Sequence, residues 1–260
     1  MFRPLIIAIV FASLCSTRME AQDFTAYEKH VYINDGDTLP YRMLLPVNYD
    51  TSKKYPLVLF LHGSGERGND NESQLTHGAN LFVQDSVRTK YPAIVVFPQC
   101  SANGSWTKMA VMGEGDNREF VFYESIVPTR DMELLESLIL QLKNDFNIDR
   151  RRMYAGGLSM GGMGTFELVR RNPKMFSAAF PICGGANTEI AKKLKKLDWW
   201  VFHGEEDKLV PNKYSTQMVK ALQAVGANVT YSLYPNVGHN SWDYAFAEPQ
   251  LLSWLFSHLK

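Results

Sequence analysis

From Tyr55 onward, short apolar runs alternate with longer amphipathic stretches. The runs Leu57–Leu61, Ala93–Phe97, Arg152–Gly156, Ala178–Ile182, Trp199–Phe202 and Val229–Leu233 are bounded by polar or Gly/Pro positions. Runs of that length and setting predict strands. The clearest helix is predicted from Arg130 to Asn147. Leu135, Leu138, Ile139, Leu142 and Phe146 recur there at spacings of three and four, which puts them on one face toward the sheet. A last helix is predicted near Pro249 to Leu259, with Leu252, Leu255 and Phe256 inward. Further upstream, Glu28–Ile33 and Leu39–Leu45 read as extended segments around Asn34-Asp35-Gly36-Asp37. An Asp-Gly pair between extended runs is a hairpin signal. The pattern as a whole predicts an α/β fold: a mostly parallel central sheet, helices on both faces, and an N-terminal antiparallel hairpin.

One stretch resists this reading. Between Gln99 and Thr129 no clear period emerges, and structureless loops of that length are uncommon unless functional. It follows a predicted strand whose C-terminal end belongs to the edge where open α/β sheets bind ligands. Trp106, with one or more of Phe120, Phe122 and Tyr123, is therefore expected to line a substrate pocket.

The N-terminus follows another pattern. Arg3 precedes an apolar core, Leu5 to Ala12, too short to anchor stably across a bilayer, and a polar stretch then leads to Ala21-Gln22. That is the layout of a secretory signal peptide, with residues 1–21 removed. Cys15 invites a lipoprotein reading, but Leu14 before it is bulkier than a lipidation site usually accepts. The remainder, residues 22–260, fits one domain by length. It is expected to be secreted or periplasmic, with no stable membrane span. Cys100 and Cys183 then permit one disulfide without implying it. Net charge is zero, from 27 basic and 27 acidic residues, so there is no electrostatic case for nucleic acid. The basic run Lys192-Lys193-Leu194-Lys195-Lys196 reads as the solvated face of a short helix.

The most specific local signal is Gly157-Leu158-Ser159-Met160-Gly161, between a predicted strand and a helix-compatible stretch, Met163 to Arg171. Strand, sharp turn and helix form the setting of a nucleophile elbow. Four glycines, at 156, 157, 161 and 162, suit such a turn and would weaken regular structure. A serine needs a base to take its proton, and the base needs a carboxylate to orient it. Two later strands each lead into a suitable loop. The first continues as His203-Gly204-Glu205-Glu206-Asp207, and the second as Pro235-Asn236-Val237-Gly238-His239. No Cys or His cluster has metal-ligand spacing, and neither a phosphate loop nor a dinucleotide fingerprint is present. No metal or cofactor is expected.

These features, with Leu59-Phe60-Leu61-His62-Gly63-Ser64-Gly65-Glu66-Arg67-Gly68 and Phe97-Pro98-Gln99-Cys100, make the chain from about Tyr55 onward resemble the α/β-hydrolase esterases. Within them the likeness is to the secreted group of feruloyl and acetylxylan esterases and polyhydroxybutyrate depolymerase-like enzymes. The resemblance implies Ser159 as nucleophile, Asp207 as orienting acid and His239 as general base. Asp207 is preferred over Glu205 and Glu206 because the family's carboxylate lies three residues after the Gly, shortly before a Val-Pro. The oxyanion hole would use the N–H of Met160 and one from Gly63 or Ser64. His62 and His203, each in a His-Gly pair at a strand end, would be structural. Trp242, just after His239, is expected to join Trp106 in the pocket.

The function implied is a secreted serine carboxylic-ester hydrolase, acting on feruloyl or acetyl esters of plant polysaccharide. A serine peptidase or phospholipase-type hydrolase of the same fold is the alternative. A non-catalytic binding protein is the remote one, since degenerate relatives usually lose a triad member.

Overall fold

Backbone hydrogen bonding in the computed structural model, which describes residues 23–114 and 118–260, joins eight strands into one sheet. The expected leader, residues 1–21, lies outside the described residues. Strand β1 (Tyr27–Asn34) turns at Asp35-Gly36 into β2 (Asp37–Leu44), and the two pair antiparallel. Both turn residues have positive φ, 52° and 85°, the backbone that the Asp-Gly signal supplies.

The remaining strands are β3 (Tyr55–Leu61), β4 (Ile94–Pro98), a two-stranded ribbon β5 (Met109–Met112) and β6 (Glu119–Phe122), β7 (Ile148–Leu158), β8 (Ala178–Ile182), β9 (Asp198–Gly204) and β10 (Val229–Tyr234). The main sheet runs β1-β2-β4-β3-β7-β8-β9-β10. Strands β4, β3, β7, β8, β9 and β10 run parallel to one another, while β2 pairs antiparallel with β4 and β1 antiparallel with β2. The expected α/β-hydrolase arrangement is the observed one.

Helices α1 (Ala79–Val83), α2 (Asp85–Lys90), α3 (Arg130–Asp145), α4 (Met160–Arg171), α5 (Ala191–Leu194), α6 (Lys213–Ala224), α7 (Trp242–Ala247) and α8 (Leu251–Ser257) complete the chain. Two apolar clusters fill the two sides of the sheet. One gathers Leu135, Leu138 and Ile139 of α3, Phe166 of α4 and Met218 of α6; the other gathers Phe82 of α1, Ala245 of α7 and Leu255 of α8. Helix α3 begins where Thr129 accepts a hydrogen bond from Met132 N, and it presents its predicted apolar face inward. Phe146 has already left the helix, in extended backbone, so that helix ends at Asp145 rather than Asn147. In α8 the fully buried positions are Leu251 and Leu255, while Leu252 and Phe256 are half-buried.

Two expectations need revision. Strand β7 is eleven residues long, not five, because exposed Arg150 and Arg151 interrupt its apolar pattern while Asp149 holds ion pairs to Arg151 and Arg152. The aperiodic stretch contains β5 and β6, each of four residues and half exposed. Phe120 and Phe122 point the same way and stack on each other, each edge-on to Tyr214 of α6. Cys100 and Cys183 are separate buried thiols, not a disulfide. No helix among the described residues is long and apolar enough to cross a membrane.

Candidate active site

The C-terminal ends of β3, β7, β8, β9 and β10 converge on one corner. Strand β7 ends at Leu158, and Ser159 takes φ 53° and ψ −118° before α4 starts at Met160. A non-glycine residue in that conformation is strained by about 1–3 kcal/mol and persists only where its surroundings hold it. Here Ser159 N donates to Ile182 O at 2.9 Å, and Met163 N donates back to Ser159 O at 3.0 Å. Glycine is required at 161, where a Cβ would lie 1.9 Å from Leu61 O.

His239, on the loop after β10, bridges the serine and the acid. Its Nε2 lies 3.0 Å from Ser159 Oγ, and its Nδ1 lies 2.7 Å from Asp207 Oδ2. The order of contacts requires the Nδ1–H tautomer, with the Nε2 lone pair facing the hydroxyl. Trp242 stands edge-on to the imidazole, with ring centroids 5.3 Å apart.

Asp207 is buried, whereas Glu205 and Glu206 on the same loop are exposed. Its Oδ1 accepts from Leu209 N and Val210 N, both at 2.9 Å. His203 Nε2 lies 3.2 Å from Oδ2. Burial works to raise the Asp207 pKa, but the hydrogen bonds from His203, His239 and Val210 outweigh it and hold the carboxyl well below the usual range. It therefore stays charged beside His239 at neutral pH. Cys183 Sγ, after β8, lies within 4.8 Å of the ligating atoms of Asp207 and His239. Sequence spacing carried no sign of that approach, because the three residues follow three different strands. The carboxylate and imidazole are already engaged with each other, and burial raises the thiol's pKa.

On the loop after β3, His62 is buried. Its Nε2 accepts from Cys100 N at 2.9 Å, and its Nδ1 donates to Gly63 O at 2.6 Å. Both ring nitrogens are thus satisfied by a neutral ring, and desolvation pushes its pKa down to about 4. This fixes the loop so that Ser64 borders a cavity together with Met160, Ser159 and His239. Gly63 sits behind, where a Cβ would meet Leu158 and Ser159. Of the two expected partners for Met160 in an oxyanion hole, Ser64 is the one on the cavity wall.

The cavity measures about 480 Å³, and its apolar wall includes Met109, Val111, Phe120, Met163, Leu209 and Val210. Trp106 is not on that wall. It is fully buried, its Nε1–H donates to His62 O at 3.1 Å, and its ring lies edge-on to His62. The large apolar ring was read as substrate-facing, but a buried indole with its N–H satisfied is a brace. Trp242 is also absent from the wall. It borders a separate shallow groove with His77 and Phe246. Phe120, one of the rings expected there, does line the serine's cavity, beside three residues that no expectation covered, namely Arg67, Asn103 and Arg118. Arg67 stood inside a quoted motif, while no pattern marked the other two.

A sequence profile of the family described as phospholipase/carboxylesterase matches residues 45–250. The chain is similar to a bifunctional acetylxylan esterase/xylanase of Neocallimastix patriciarum, 29% identical over 154 residues, 58% of this chain and 19% of that one. It is similar to a probable feruloyl esterase C of Aspergillus oryzae, 25% identical over 210 residues, 80% of this chain and 69% of that one. Among solved structures, a thermostable esterase superposes with a TM-score of 0.82 at 33% identity, over 90% of this chain and 64% of the other. The chain thus spans about a fifth of the bifunctional relative's length and under two thirds of the thermostable esterase's.

Two predictions follow from this geometry. His62 should make stability fall on mild acidification. Its unfolded pKa is near 6.5 and its folded one about 4, so across that window the unfolded chain takes up the proton. Stability should decline by roughly 3 kcal/mol as pH drops through the window. Urea unfolding at several pH values would measure the slope, and His62→Gln should remove that component even if the variant is less stable throughout. Parallel slopes would clear His62 of the effect. For Trp106→Phe, loss of the bond to His62 O should cost about 1–3 kcal/mol. Turnover of p-nitrophenyl acetate and methyl ferulate should fall together. A selective loss on ferulate would instead put the indole in contact with substrate.

Proposed function

The chain belongs to the phospholipase/carboxylesterase family of α/β-hydrolases and is a serine hydrolase of carboxylesterase type, and within that class we propose that Ser159, His239 and Asp207 are its catalytic triad. The observation that carries this is the continuous path from Ser159 Oγ through His239 to Asp207, with spacings of 3.0 and 2.7 Å. Ser159 attacks the ester carbonyl as His239 Nε2 takes its proton. The tetrahedral oxyanion is received by the N–H groups of Met160 and Ser64. His239 then protonates the departing alkoxide, and an acyl-enzyme remains. Water, deprotonated by the same nitrogen, releases the acid. The Asp207 carboxylate holds Nδ1–H and stabilises the imidazolium formed in both halves.

For substrate, we propose feruloyl or acetyl esters of plant polysaccharide, met outside the cytoplasm. The activities named for the relatives support this, as does the apolar cavity wall, which suits an aromatic acid. The expected leader supports export.

A fluorophosphonate probe should add its mass to the peptide containing Ser159 and leave Ser159→Ala unmodified. Labelling elsewhere, with Ser159 free, would refute the nucleophile. Asp207→Asn should lower kcat on the order of ten-thousandfold, because the imidazole loses its tautomer. Glu205→Gln and Glu206→Gln should each be mild, and a crippling Glu206→Gln would move the acid by one residue. The substrate reading is tested with methyl ferulate, acetylated xylan and p-nitrophenyl acetate. Activity confined to the last would leave a carboxylesterase without the polysaccharide specificity.

A further inference from the structure

Ten arginines lie among the described residues, and six of them, Arg42, Arg130, Arg151, Arg152, Arg170 and Arg171, sit within 4.0 Å of a carboxylate. Arg67, Arg88, Arg118 and Arg150 have no carboxylate that close among the described residues. Two of those four, Arg67 and Arg118, line the cavity that holds Ser159 and His239. No carboxylate stands among its described lining residues, and Asp207 itself is buried. The cavity therefore carries two guanidinium groups with no ion-pair partner among the described residues, in a chain whose net charge is zero.

The two guanidinium groups are held differently. Arg67 is anchored by Nε to Ser64 O at 2.9 Å and by Nη1 to Gly104 O at 3.2 Å, which fixes it beside the loop after β3. Arg118 reaches Leu209 O through Nη1 at 3.4 Å, and its Nε is buried without a hydrogen-bond partner. Among the described residues that guanidinium makes one hydrogen bond, long at 3.4 Å, so other N–H groups remain to offer an acceptor. Two cations lining one cavity form a receptor for an anionic oxygen group. The rest of the wall is apolar, which favours a singly charged group over a dianion, since desolvating the second charge is much more expensive.

Resting on the esterase reading above, we propose that this site selects esters that carry a carboxylate in their acyl or alcohol part, with Arg67 and Arg118 as its receptors. A neutral feruloyl or acetyl group leaves both cations unused. A uronic acid next to the esterified sugar, or a dicarboxylic half-ester, engages them.

Two matched pairs of esters test this and separate the two sources of charge. Mono-p-nitrophenyl adipate against p-nitrophenyl hexanoate varies charge on the acyl side. 4-Acetoxybenzoate against 4-acetoxybenzamide varies it on the alcohol side. For the wild type, the anionic member of at least one pair should have the higher kcat/KM, by about tenfold, through a lower KM. The preference should shrink as salt is raised. The double variant Arg67→Gln/Arg118→Gln should bring the ratio close to one, while Arg67→Lys/Arg118→Lys should keep most of it. The salt series and the lysine variant decide the matter even if the glutamine variant folds poorly. Ratios at or below one in both wild-type pairs overturn the proposal, as does a raised ratio that neither salt nor loss of charge reduces. Hydrolysis of the neutral esters reports separately on the esterase reading, which survives any of those outcomes.

Discussion

The carbonyl of Leu61, at the end of β3, lies against the α-carbon of Gly161, and the architecture of the site depends on that approach. A methyl group there would sit 1.9 Å from the oxygen. Because residue 161 has no side chain, the elbow after β7 and the loop after β3 meet closely. Ser159 Oγ, the start of α4 and Ser64 then face one cavity. The elbow is strained, with Ser159 at φ 53°. What holds it is the burial of α4 from Met160 through Val169, together with the hydrogen bond from Ser159 N to β8. Relaxing the turn would mean withdrawing a helix from the core, so the hydroxyl keeps its position.

Two buried histidines support the corner in opposite ways. His62 accepts at Nε2, from Cys100 N, and burial favours its neutral form. His203 sits in a surround of acceptors. Its Nε2 lies 2.8 Å from Val210 O and 3.2 Å from Asp207 Oδ2. Its Nδ1 lies 2.6 Å from Ser215 Oγ, whose single proton goes to Gly184 O at 2.7 Å. Both ring nitrogens of His203 thus face oxygen lone pairs, with the Asp207 carboxylate as the adjacent negative charge. Both residues belong to His-Gly pairs at strand ends, yet one orients the loop beside Ser159 and the other helps hold Asp207.

The parts that follow a repeating pattern were legible in the sequence. The parallel strands, the apolar face of α3 and the Asp-Gly hairpin each announce themselves through a period or a turn pair. The triad's candidates were legible too, because each follows a strand and their chain order is constrained. What escaped was local in another sense. The Arg150-Arg151 interruption hid half of β7, since a strand can carry exposed charge at one end while the other is fully buried. Trp106 was misread because a large ring in a loop beside a site has the same sequence signature whether it faces substrate or braces backbone. Only its hydrogen bond to His62 O distinguishes the two. Arg118 had no signature at all, since its place depends on a ribbon of two four-residue strands.

That ribbon shows how chemistry and selectivity are joined here. It is fastened to α6 through Phe120 N, which donates to Tyr214 Oη at 2.7 Å, and through ring packing on Tyr214. Its second attachment, Arg118 to Leu209 O, reaches the acid loop. Leu209 and Val210 line the cavity while their N–H groups hold Asp207 Oδ1. Val210 O also accepts from His203. The cavity wall and the support of the Asp207 carboxylate therefore share the same two residues. A group bound against Leu209 and Val210 would contact the residues whose N–H groups hold Asp207 Oδ1, whereas Asn103, Gly104 and Ser105, also on the lining, belong to the segment that Trp106 and Arg67 pin. Substitutions on the two walls should accordingly differ in kind: on the first, substrate preference and turnover are coupled through Asp207, and on the second they separate.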